Sequence, residues 1–409
     1  MDMNTNTNTN NNINTNTTNF TNTNTNTNTN TNTTIVTNNN MSVTLRDKFY
    51  GCICGAHIGS SMGAIVEGWP YSKVVEVYGV LDKLLPYGQN PDGTKREAGS
   101  TEDGIDRQKL MITAIMEKGD RVTAEDVRRI WVRDIQPGAA GTISEPFEGE
   151  LLKIAKTRVP AREIGRFCDY SGLNSFSRAC HPIGLINAGD VRGAIEDVLE
   201  VGQLYQTPNS RGLKWACVTA VGIAAATTPG ATVDSVLNAI FNNLDERQRV
   251  DSREDGWYAD YAGVNLVDEL KGALDYTKDC RDFKDLREAF DPYYNGFGMP
   301  YNISYANEVV TKGVCIFKMT GGNVKDAIIA ASNLGRDTDC IAAIAGGISG
   351  ALDGTASLPA EWIAQVDNAT KTLRFTNNRR TMREHADGLY DAFKNRLRAM
   401  AANADLMDY

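Results

Sequence analysis

Residues 335–350 read Gly-Arg-Asp-Thr-Asp-Cys-Ile-Ala-Ala-Ile-Ala-Gly-Gly-Ile-Ser-Gly. Two carboxylates one residue apart, Asp337 and Asp339, open a segment that is almost all Ala, Ile and Gly. Glycine costs about 1 kcal/mol relative to alanine inside a helix. Gly346, Gly347 and Gly350 therefore predict close approach by a neighbouring helix. A central helix packed that tightly holds the loop at its N-terminus rigidly, and this loop carries two acids. The pair looks like half of a hard-cation site.

Two other stretches offer oxygen ligands. Ser100-Thr101-Glu102-Asp103 precedes a helical pattern, and Glu67 follows Gly59-Ser60-Ser61-Met62-Gly63-Ala64. Magnesium and manganese favour carboxylate, hydroxyl and water oxygens, and a two-metal site needs several carboxylates to offset four positive charges. Glu67, Glu102, Asp103, Asp337 and Asp339 suffice for that. Each acidic motif alone is also accounted for by helix capping, where Asp accepts free N–H bonds and complements the dipole. Glu67 alone is accounted for as a surface carboxylate.

The rest of the chain predicts an all-α fold. Apolar residues recur at helical spacing over 45–64, 108–118, 124–134, 148–156, 191–205, 213–227, 233–243, 264–276, 304–319, 324–331, 341–352 and 383–400, and period-two patterns are hardly present. Thr123 before Ala124-Glu125-Asp126 and Thr232 before Val233-Asp234-Ser235 place capping hydroxyls at helix starts. Pro229-Gly230 and Pro292 are expected at helix ends.

The chain has 409 residues, 41% hydrophobic and 23% charged, enough for a large core. Residues 4–40 alternate Asn and Thr, with only Ile13, Phe20, Ile35 and Val36 apolar. Such a tract cannot offset its ordering entropy, so a disordered tail over 1–42 and one folded domain over 43–409 are expected. A net charge of −9 without a basic stripe argues against nucleic acid as a partner. No apolar run of eighteen residues predicts a membrane span, and a soluble, cytoplasmic protein is expected. Eight scattered cysteines read as buried, reduced thiols. The three histidines, His57, His181 and His385, lack zinc-site spacing. His57 reads as a packing residue, and His181, before Pro182, is a candidate for a cleft wall.

The run from Gly335 to Gly346 resembles the signature of the ADP-ribosylglycohydrolase family, a Gly-Gly-Asp-Thr-Asp-Thr/Ser loop before a small-residue helix. Gly51-x-x-x-Gly55 with Gly59 and Gly63-Ala64-x-x-Glu67 is similar to that family's opening helix and glutamate loop, as is Thr101-Glu102-Asp103 to its Thr-Asp-Asp. The match runs in order from about 48 to 352, and includes the dinitrogenase-reductase-activating type of glycohydrolase. The resemblance implies an all-α fold, two Mg²⁺ ions (Mn²⁺ being an alternative) engaging ribose hydroxyls, and hydrolysis at the anomeric carbon of a ribosyl group. By the same carry-over Thr101, Glu102, Asp103, Asp337, Asp339 and Cys340 would be metal ligands. Glu67 would sit on the loop over the site, and Glu67 and Asp103 are candidates to take the proton from the attacking water. Gly141-Thr142 and Asn174-Ser175-Phe176-Ser177-Arg178, with His181 following, resemble substrate-lining loops.

Three positions depart from the family pattern. Ser60 replaces an aspartate, Glu102 the middle aspartate of Thr-Asp-Asp, and Cys340 the last hydroxyl ligand. A thiol is a soft partner for magnesium, so Cys340 weakens one metal position, shifts preference towards Mn²⁺, or merely starts a helix. The expected substrate is an ADP-ribosylated protein or a smaller nucleoside-like ribosyl compound. A non-catalytic, crystallin-like scaffold is the alternative from another class, with the oligomeric state open.

Overall fold

The computed structural model describes residues 43–89, 95–135, 146–168, 172–208, 210–243, 266–294, 304–372 and 376–404. Among these, helical periodicity becomes seventeen α-helices, and the only sheet is the antiparallel pair Tyr87–Gln89 with Lys95–Arg96. The fold is all-α, as the periodicity predicts. The tail over 1–42 lies outside the described residues.

The centre is a glycine-mediated helix pair. Gly51, Gly55, Gly59 and Gly63 recur every fourth residue along the helix Leu45–Gly63, so they share one face. That face meets the helix Thr338–Asp353, and a Cβ at Gly55 would collide with the carbonyl oxygen of Gly346. The close approach predicted from Gly346 and Gly350 is therefore real, and its partner is the first helix. Gly347 serves a different neighbour, because its missing side chain makes room for the His181 ring. At the end remote from the acids, Asp47 accepts from the backbone N (3.1 Å) and hydroxyl (2.7 Å) of Thr355.

Other helices surround this pair. Val324–Ser332, Ala306–Met319 and Arg211–Ala226 pack on the Thr338–Asp353 helix, and Met382–Ala404 covers the Leu45–Gly63 helix. Thr123 starts its helix through a capping box, with Thr123 N donating to Asp126 Oδ2 at 2.9 Å and Asp126 N to Thr123 Oγ1 at 3.4 Å. Ser235 N donates to Thr232 Oγ1 at 3.2 Å. All eight cysteines are free thiols, seven of them buried. No helix is long and apolar enough to cross a membrane.

Several boundaries differ from expectation. The helix expected from Gln108 begins at Asp103, because Asp103, Asp106, Arg107 and Lys109 are buried polar residues that mask the apolar period. Pro292 lies inside the last turn of Phe283–Tyr294 instead of ending a helix. The helices Tyr71–Tyr78, Phe283–Tyr294 and Ala360–Thr370 lie where the periodicity predicts none.

Candidate functional site

The acids of the opening stretch are not caps. Asp337 occupies the N-cap position of the Thr338–Asp353 helix, yet its side chain makes no capping bond, and the same holds for Glu102 before Asp103–Lys118. Asp337 Oδ2 instead accepts from Asn174 Nδ2 at 2.7 Å. Thr338 Oγ1 donates to Gly63 O at 2.8 Å, which ties the acidic turn to the end of the first helix.

Asp337 and Asp339 are 0% and 1% exposed, and Oδ1 of each has no hydrogen-bond partner. Among the described residues, ligand atoms of Asp337, Asp339 and Cys340 lie within 4.8 Å of one another, all buried. The Cys340 thiol lies 3.4 Å from Asp339 Oδ2. Burial, followed by the charge of Asp339, holds the Asp337 carboxyl well above the usual carboxylate range, and burial pushes up the Cys340 thiol. A buried carboxylate oxygen without a partner is costly unless a cation offsets it. The donor set therefore fits a hard divalent cation held through two carboxylates, with a soft sulfur beside it.

Arg178 joins the two acidic motifs. Its Nη2 donates to Asp103 Oδ2 at 2.7 Å, and its Nη1 lies 3.4 Å from Asp339 Oδ2. Asp103 Oδ2 is also paired with Arg107 at 2.6 Å. Glu102 turns to the hairpin, where Oε1 accepts from the Tyr87 hydroxyl (2.8 Å) and from Arg96. Burial pushes the Glu102 carboxyl up to about 7 against the pull of Arg96. Its backbone N donates to Ser60 Oγ at 3.4 Å, and Thr101 beside it is half-buried.

Glu67 stands on an exposed loop that is stapled to the acidic turn. Gly68 N donates to Arg336 O, and Arg336 N to Trp69 O, both at 2.8 Å. Repulsion from Asp339, and then from Asp337, pushes the Glu67 carboxyl above the usual carboxylate range. Its charged form is thus disfavoured beside these acids.

The remaining candidates divide by position. Asn174 and Arg178 reach the acids, and Ser175 is buried beside them. Ser177 and His181 are fully buried and engaged in interior bonds: Ser177 Oγ donates to Gly212 O at 3.4 Å. His181 Nε2 donates to Ala343 O at 3.0 Å, which makes Nδ1 the acceptor for Gln108 Nε2 at 3.1 Å. The reason is steric, since the ring fills the gap left by Gly347. Gly141 and Thr142 lie outside the described residues. Sequence reasoning missed Tyr87 and Arg96, whose local patterns carry no signal of the Glu102 carboxylate they meet.

The sequence profile described as ADP-ribosylglycohydrolase matches residues 41–398. An uncharacterized protein of Archaeoglobus fulgidus is 26% identical over 326 residues, covering 78% of this chain and 91% of the relative. The ADP-ribosylhydrolase ARH3 of Gallus gallus is 20% identical over 356 residues, covering 81% and 92%. A solved structure named as an ADP-ribosylglycohydrolase-related protein complex shares the fold with a TM-score of 0.59 at 15% identity, over 85% of this chain and 99% of that one. With the profile spanning nearly the whole chain, the protein is a hydrolase that belongs to the ADP-ribosylglycohydrolase family.

Proposed function

We propose that the chain hydrolyses the bond between the anomeric carbon of ribose and its attached group in an ADP-ribosyl conjugate. One observation carries the reading: Asp337 and Asp339 head a helix without capping it, and each keeps a buried, unpartnered oxygen. A scaffold protein has no need to concentrate such carboxylates. Asp337 and Asp339, with Thr101, Glu102, Asp103 and Cys340 around them, would hold two divalent cations. Bound there, Mg²⁺ or Mn²⁺ would offset the clustered charge and orient ribose hydroxyls.

The chain's own groups divide the remaining work. Asn174 fixes the Asp337 carboxylate by a hydrogen bond, and Arg178 keeps Asp103 and Asp339 facing one another. Cleavage develops oxocarbenium-like charge on the sugar, which fixed carboxylates stabilise. Glu67 is the better candidate for taking the proton from the attacking water. Among the described residues no hydrogen bond ties its carboxylate, whereas Asp103 Oδ2 is already shared by Arg178 and Arg107.

The test is release of ADP-ribose from arginine-, serine- and O-acetyl-linked conjugates. Glu67→Gln is expected to lose about 10²–10⁴-fold in rate, the usual worth of a general base, while keeping thermal stabilisation by Mg²⁺. Asp337→Ala is expected to lose both. Release from none of the three conjugates by the metal-loaded protein overturns the ADP-ribosyl reading in favour of a smaller nucleoside-like substrate. Absence of any cation binding overturns both.

A further inference from the structure

The loop that carries Glu67 and the turn that carries Asp337 meet at one residue, Arg336. Its carbonyl oxygen accepts from Gly68 N at 2.8 Å and from Thr338 N at 3.0 Å, and its own N donates to Trp69 O at 2.8 Å. Gly335 beside it has no room for a side chain, because a Cβ there would lie 2.6 Å from Tyr71 N. The backbone at 335–336 is thus the seam between the candidate base and the acids of the cation site.

Arginine is a costly residue for that seam. Arg336 is the only non-glycine with positive φ among the described residues, at 65°. Left-handed backbone costs an ordinary residue about 1–2 kcal/mol, whereas glycine adopts it freely. Such a conformation persists only where the surroundings over-determine it. Here the side chain supplies a constraint. Arg336 Nε donates to Glu308 Oε1 at 2.7 Å and its Nη2 to Oε2 at 2.8 Å, so the guanidinium fork engages both carboxylate oxygens.

Glu308 is a firm anchor for that fork. It is fully buried in the helix Ala306–Met319, which packs on the Thr338–Asp353 helix. Lys312, one turn further on, donates to its Oε1 at 2.7 Å. Two-point contact fixes the orientation of a guanidinium as well as its position. The acidic turn has other holds, Asn174 on Asp337 and Thr338 Oγ1 on Gly63 O. The bonds that join Gly68 and Trp69 to that turn both end on Arg336.

We propose that Arg336 is a positioning residue. Through its fork on Glu308 it fixes the backbone to which Gly68 and Trp69 are bonded, and so sets where the Glu67 carboxylate stands relative to Asp337 and Asp339. Its effect on turnover rests on the hydrolytic reading with Glu67 as base, while the clamp itself does not.

Arg336→Gly separates side chain from backbone, since glycine accepts the positive φ and Lys312 still pairs with Glu308. Amide hydrogen exchange of the full-length, chelator-treated protein reads the clamp. In Arg336→Gly the segment 64–72 is expected to exchange about tenfold faster, the worth of one charge-assisted bond. With metal loaded, kcat for ADP-ribose release is expected to fall by about ten- to a hundredfold, as for a reacting group displaced by about 1 Å, with KM and Mg²⁺ affinity kept within about twofold. Arg336→Lys keeps a second cation on Glu308 and is expected to lie between the parent and Arg336→Gly in both readouts. Unchanged exchange over 64–72 in Arg336→Gly, faster exchange with unchanged kcat, or a loss in Arg336→Lys as large as in Arg336→Gly overturns the proposal. If the parent releases ADP-ribose from no conjugate, the hydrolytic reading fails, and hydrogen exchange in the two variants still decides the clamp.

Discussion

Asp337 illustrates how one residue's neighbours decide its chemistry. An aspartate before a helix suits capping, but its Oδ2 is taken by Asn174 and its Oδ1 by nothing. That outcome rests on a residue 163 positions away and has no local signature. Cys340 stands where the family resemblance implies a hydroxyl ligand. Replacing its sulfur by a hydroxyl, Cys340→Ser, is expected to raise Mg²⁺ affinity several-fold and to narrow any preference for Mn²⁺, because Mg²⁺ favours hard oxygen ligands. Identical calorimetric affinities in the two proteins would place the thiol outside the coordination sphere. Arg178 is the other decisive residue, buried between Asp103 and Asp339. Removing one partner of a buried pair leaves uncompensated charge, so Arg178→Met is expected to cost about 3–5 kcal/mol in urea denaturation of the metal-free protein. A loss below about 1 kcal/mol would show that the bridge contributes no more than a surface pair.

At the scale of elements, the pair Leu45–Gly63 and Thr338–Asp353 sets where the acids stand. Its closeness is legible from Gly346 and Gly350 in the second helix, where glycine otherwise only costs helix stability. Which helix meets which is not. Gly55→Ala would push a methyl group into the Gly346 carbonyl, and overpacking of this kind costs about 1–3 kcal/mol. Gly272 is the natural control, being exposed in the helix Leu266–Tyr276 with nothing near its missing Cβ. Gly272→Ala is expected to stabilise by about 0.5–1 kcal/mol through helix propensity and unfolded-state entropy. Denaturation of both variants reads the difference, and equal effects would show that the central contact yields more readily than its geometry implies.

For the whole molecule, buried titratable groups tie stability to pH. His385 is fully buried with both ring nitrogens unpartnered, and burial, then Lys109, hold its pKa well below 6.5. Below about 6.5 the unfolded chain takes up a proton that the folded state refuses, so this group's contribution is present above that pH and lost as pH falls. His385→Leu removes the dependence. Relative to the parent it is expected to gain stability between pH 7.5 and pH 5.0, by at most about 2 kcal/mol, the limit for one group that stays unprotonated in the folded state. An unchanged difference between the two pH values would mean that His385 is protonated in the folded state. The boundary before Val43 remains a proposal from composition, and deletion of residues 1–42 is expected to leave the thermal midpoint and the Mg²⁺ response intact. By itself the sequence determined the all-α class, most helix positions, the tight packing around Gly346 and the list of acids, because periodicity, capping and side-chain size act within a few residues. Only the tertiary structure decided that Asp337 and Asp339 keep unpaired oxygens, that Arg178 bridges to Asp103, that Glu102 turns to Arg96, and that His181 is interior. Those outcomes depend on charge and desolvation between residues distant in the chain, and such terms exist only once the helices have packed.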